Sequence, residues 1–107
     1  MKRFGQLIRV KPEHFEKYKT YHKKVWPEVL EMIRACNILN YSIYHKDGFL
    51  FAYFEYQGSD FAADMRKMAA DPATQEWWKI MKPMQDPIPT RAKGEWWATM
   101  EEVFHTE

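Results

Sequence analysis

The stretch FLFAYFEY, residues 49 to 56, is apolar on both of its alternating sides. As a strand it points Phe49, Phe51 and Tyr53 to one face and Leu50, Ala52, Phe54 and Tyr56 to the other. A strand of that kind must be covered on both faces. It follows NYSIYH and the turn residues Lys46-Asp47-Gly48, so residues 40 to 56 read as a β-hairpin. Whatever helices the chain supplies to one face, the other needs a ligand, a second subunit, or both.

The rest of the chain supplies such helices. FGQLIRV, residues 4 to 10, alternates and stops at Lys11-Pro12, which predicts a strand followed by proline at a helix start. Phe15, Tyr18, His22, Val25, Val29, Met32 and Ile33 then recur at three- and four-residue steps, a helical face running to about Ala35. Ser59-Asp60 opens a helix over Phe61 to Ala69, and Asp71-Pro72 caps another running to about Met84. QDPIPTRAKGE reads as a proline-bearing loop, and WWATMEEVFH, residues 96 to 105, as the last strand. The order strand, helix, strand, strand, helix, strand is that of the ferredoxin-like split βαβ, an α+β fold with a four-stranded antiparallel sheet and helices on one face. With the doubly apolar hairpin strand, it predicts a dimer of the α/β-barrel type. Residues 1–107 read as a single domain, without internal repeat or linker.

Sixteen basic against fifteen acidic residues, with no block of like charge, make neither nucleic acid nor an anionic membrane a favoured partner. A small neutral ligand fits better. Five Trp, six Tyr and seven Phe exceed what a core this size needs for packing, so part of that aromatic surface is expected at a pocket or an interface. The single Cys36 excludes an internal disulfide, and MKRFGQLIRV lacks the apolar run of a secretion signal. Both point to the cytoplasm. Cys36 itself reads as a small buried hydrophobe.

Pro27 interrupts the first helix. It lacks an N–H, and its ring collides with the carbonyl of Lys23, so the helix bends or breaks there. Either Pro27 begins a second helix, or the break aims His22 and Trp26 into a cavity. Tyr18 and His22 stand four residues apart on one face. An imidazole with a pKa of about 6.5 both gives and takes protons near neutrality, and a phenol beside it orients the ring or a hydroxylated substrate. His14, His45 and His105 show no metal-ligand spacing, so no metal is expected. Trp77 and Trp78 point about 100° apart on a helix: either both serve the core, or one packs inward and the other lines a pocket. A flat indole face matches the C–H-rich side of a sugar. Trp96 and Trp97 read as interface or core.

YKTYH, VWPEVL, NYSIY, LFAYFEY, QEWWKIM and the closing MEEVFH, in this order over nearly the whole chain, resemble the L-rhamnose mutarotase family. The resemblance implies a cofactor-free enzyme that interconverts the α and β anomers of a 6-deoxyhexose on a ferredoxin-like fold that dimerises. It implies His22 as proton donor and Tyr18, Tyr41, Trp77 and Trp78 as sugar contacts. Lys23, Lys24 and the long loop from Gln85 to Glu95 depart from the family pattern and leave open which sugar is taken; L-fucose is the alternative. From a different class, the same fold type hosts small dimeric binding proteins and monooxygenases acting on haem or quinols.

Overall fold

In the computed structural model, which describes residues 1–107, the alternating segments form the predicted strands and the three- and four-residue patterns form helices. Strand β1 spans Lys2–Val10, helix α1 Phe15–His22, α2 Pro27–Ala35, β2 Ile38–Lys46 and β3 Phe49–Tyr56. Helix α3 spans Phe61–Ala69, α4 Pro72–Met81, β4 Gln85–Asp86 and β5 Ala98–Met100. Asp71 caps α4 as its sequence predicts, its carboxylate accepting from the Thr74 backbone N–H at 2.9 Å and from the Thr74 hydroxyl at 2.8 Å.

The sheet is antiparallel in the order β2, β3, β1, with β4 and β5 sharing the far edge of β1. β5 pairs with Gly5 to Leu7 and β4 with Arg9 and Val10. This is the split βαβ order with its fourth position divided in two. The pattern of the chain predicts a strand over residues 96 to 105 and only a loop at Gln85. The strand instead contracts to three residues, and the loop opens with two residues on β1. One edge of a nine-residue strand holds both. Similarly, α4 ends at Met81 and its last predicted turn is a 3₁₀ turn over Lys82–Met84, where Pro83 cannot donate a helical hydrogen bond.

The hairpin turns on Asp47 and Gly48, both at positive φ (53° and 82°), as a two-residue connection with the twist of the strands requires. On the inner face, Ile8, Val10 and Leu50 pack with Tyr18, Val29 and Trp77 into the main core. A second cluster, Ile38, Phe54 and Tyr56, packs under α3. The outer face carries Tyr44, Phe49, Phe51 and Met100, all exposed, Tyr44 by 66 % and Phe51 by 39 %. The chain's own elements leave that face uncovered, as the doubly apolar strand foretold. No helix is long and apolar enough to cross a membrane.

Candidate active site

The break at Pro27 is complete. α1 ends at His22, and Trp26, extended ahead of the proline (ψ 134°), offers its carbonyl to Val29 and Leu30 as the start of α2. Pro27 thus begins a second helix, and the same break leaves His22 on the last turn of α1, facing the space between helices and sheet. Trp26 does not join it there: its ring packs edge-on against Trp77 at 5.2 Å, behind the cavity wall. The expectation that Trp26 faces the pocket is corrected on that point, because an apolar indole at a helix start gains more from aromatic packing in the core.

The cavity between the four helices and the sheet has a volume of about 660 Å³ and is lined mainly by apolar groups, with Tyr18, His22, Tyr41, Trp77 and Trp78 all on its wall. All five residues picked from sequence therefore meet at one place. Trp77 is buried and takes the core side, with His22 edge-on to it at 5.4 Å. Trp78 is half-buried on the rim, where the Lys82 ammonium lies 5.3 Å from its ring and 5.5 Å from that of Trp96.

Tyr41 reaches the cavity through a β-bulge. The pairing of β2 with β3 slips between Leu39 and Ser42, so Asn40 and Tyr41 together oppose Phe54. Asn40 takes positive φ (52°) and its amide donates to Glu55 at 2.6 Å. Unbulged alternation from buried Ile38 would turn Tyr41 to the outer face; the extra residue returns it to the inner one, 5.5 Å from the Phe54 ring. Its residue surface is 40 % exposed, but its hydroxyl end is desolvated, and burial first and the Tyr18 phenol second hold its pKa well above the usual phenol range.

The His22 ring stacks on that of Tyr18, with centroids 4.4 Å apart, and its Nδ1 lies 2.8 Å from the Tyr18 carbonyl oxygen. A carbonyl only accepts, so Nδ1 carries the hydrogen and neutral His22 holds its lone pair on Nε2. Burial lowers the His22 pKa below 6.5, partly opposed by that hydrogen bond, so the imidazole is neutral at pH 7. Burial likewise pushes the Tyr18 phenol up to about 12, against a hydrogen bond from Gln85.

Sequence reading missed Gln6, Gln85, Trp96 and Lys82 on this wall. Gln6 had a signal, a polar residue at an inward position between Phe4 and Ile8. Gln85 had none, lying in an apparent loop. The remaining histidines are elsewhere: His45, for example, stacks on Phe15 at 3.8 Å. Nowhere do three His, Cys, Asp or Glu side chains gather as a metal would need.

A family model described as L-rhamnose mutarotase matches residues 3–106. The chain belongs to the L-rhamnose mutarotase family. Enzymes of this family interconvert sugar anomers. The L-rhamnose mutarotase of Bacillus subtilis (strain 168) is 37% identical over 86 residues, covering 78% of this chain and 80% of the relative. That of Ligilactobacillus salivarius (strain UCC118) is 32% identical over 110 residues, covering 98% and 97%. The crystal structure of an L-rhamnose mutarotase from Formosa agariphila superposes over 100% of both chains with a TM-score of 0.77 at 21% identity, a likeness of fold.

Proposed function

We propose that this family member interconverts the α and β anomers of L-rhamnopyranose by acid/base ring opening and reclosure, with His22 exchanging protons and Tyr18, Tyr41, Trp77 and Trp78 holding the sugar. The observation that carries this reading is a neutral imidazole whose Nδ1 is tied to a carbonyl and whose Nε2 is left to a cavity walled by indoles and phenols. Opening the ring moves the proton of the anomeric hydroxyl off O1, forms the C1=O1 carbonyl, breaks the bond from C1 to the ring oxygen O5, and puts a proton on O5. Reclosure on the other face of the carbonyl reverses each transfer. Nothing is oxidised or reduced and no group leaves, so the reaction calls for no cofactor.

In this scheme His22 starts as the acceptor at Nε2 and becomes the donor for reclosure. The donor role implied by the family pattern thus belongs to the second half of the cycle. Indole faces pack on the C–H side of the ring and on its 6-deoxy methyl group, and polar groups at the rim read the hydroxyls. The uncovered outer face of the sheet supports a homodimer, and the buried, lone Cys36 suits the cytoplasm.

The test is proton NMR saturation transfer between the anomeric resonances of L-rhamnose, repeated with L-fucose. Wild type should accelerate exchange of L-rhamnose. His22→Ala should lose about 10² to 10⁴ of that acceleration, the usual contribution of a positioned acid or base, while remaining folded. Full activity in His22→Ala would remove His22 from the mechanism, and a preference for L-fucose would reassign the sugar.

A further inference from the structure

Ring opening needs a proton at O5 as well as an acceptor at O1, and His22 starts with only a lone pair to offer. We infer that a hydrogen-bond relay from Trp96 through Gln85 makes Tyr18 the donor to the ring oxygen, with Gln85 and Trp96 as positioning residues. This rests on the mutarotase reading above.

The relay has a direction that chemistry imposes. An indole N–H only donates. Trp96 Nε1 lies 2.8 Å from Gln85 Oε1, so the oxygen of that amide faces Trp96 and its nitrogen must face the other way. There, Gln85 Nε2 donates to the Tyr18 hydroxyl oxygen at 3.1 Å. The orientation of a glutamine amide is ordinarily ambiguous; here an obligate donor at one end settles it. With its oxygen accepting from Gln85, Tyr18 has its own hydrogen free, and no other protein group bonds that hydroxyl. Tyr18 lines the cavity, so in this reading its free hydrogen is the one offered to a sugar bound there.

Both partners are held for this. Tyr18 and Gln85 are 4 % and 7 % exposed. Gln85 is clamped on β1 opposite Val10, and α1 carries Tyr18 beside His22. A phenol at about 12 keeps its proton at neutral pH yet is a stronger acid than an ordinary alcohol. As C1–O5 breaks, the Tyr18 O–H proton passes to O5 while His22 Nε2 takes the O1 proton. On reclosure the Tyr18 oxygen recovers its proton from O5 as O5 attacks the other face of C1, and His22 returns its proton to O1. The protein ends as it began.

The experiment is a kinetic cycle on the full-length protein, with L-rhamnose exchange followed by NMR at several sugar concentrations and folding checked by thermal melts. Gln85→Glu keeps the shape but turns the donor into an acceptor that captures the Tyr18 hydrogen. It should cut kcat by about 10²-fold, the low end for a positioned proton donor, while KM moves far less. Trp96→Phe, at a partly exposed site that tolerates the change, should cut kcat several-fold by freeing the amide to turn. In a Tyr18→Phe background both substitutions should lose their effect on kcat, since there is no hydroxyl left to orient. If Gln85→Glu keeps wild-type kcat, or if both costs persist undiminished without the Tyr18 hydroxyl, the relay is wrong although the mutarotase reading stands. If wild type exchanges neither sugar, the reading falls and the relay with it.

Discussion

His22 and Tyr18 are joined twice, by stacked rings with centroids 4.4 Å apart and by a 2.8 Å hydrogen bond from the imidazole Nδ1 to the tyrosine's own carbonyl. The i to i+4 spacing of one helix makes both contacts, so the tautomer of the imidazole is set by the backbone that carries the phenol.

A pH dependence follows. Burial holds the His22 pKa below 6.5, and the neutral imidazole starts the cycle. Exchange should therefore fall in acid with a midpoint below about 6.5 and run flat through neutral into alkaline pH, because the Tyr18 phenol at about 12 keeps its proton there. Rates measured from pH 4 to 10 check it; a midpoint above 7, or faster exchange in acid, would contradict it. Stability moves in the same direction. Between the lowered native pKa and 6.5 the unfolded chain holds more protons, so this group's contribution rises with pH and is lost toward acid.

At the bulge, Asn40 occupies positive φ, which a β-branched residue adopts only at a cost of about 1–3 kcal/mol. Asn40→Val should lower the melting temperature by several degrees and raise KM for the sugar by loosening Tyr41. Asn40→Gly should keep the backbone and lose only the bond to Glu55. Thermal melts beside saturation kinetics separate the two effects. Equal behaviour of the two variants would mean that φ at this position does not matter.

The two adjacent tryptophans should behave differently. Trp77 is buried against Tyr21, His22 and Trp26, so Trp77→Ala should cost about 3–5 kcal/mol in urea unfolding. Trp78 is half-buried at the rim, and Trp78→Ala should cost far less stability while raising KM. Similar losses of stability in both would deny the division between core and rim.

The outer sheet face should be buried between two copies of the chain. Phe51→Glu places a charge among Tyr44, Phe49 and Met100 on that face. Light scattering after gel filtration should show the wild type at twice the chain mass and the variant as a monomer. A monomeric wild type would leave the apolar face without its proposed cover.

Local structure and the residues able to do chemistry were legible from neighbouring positions in the chain. Period-two segments became β1, β2 and β3, Asp60 and Asp71 began α3 and α4 where their side chains cap, and Pro27 divided α1 from α2, since each depends on neighbours within a few positions. Tyr18 and His22 stood out because helical spacing alone pairs them. Tertiary structure alone decided the rest. Gln85 meets Tyr18 across 67 positions of sequence, and no local pattern carries that contact. Gln85 and Asp86 take the Arg9–Val10 end of one edge of β1, so the last strand begins only at Ala98 and two residues of a loop become a strand. Tyr41 turned inward through a one-residue slip, because in a strand a single extra residue exchanges the faces of every side chain beyond it. Such features arise from pairing between distant segments, whose register is set by the packed sheet as a whole.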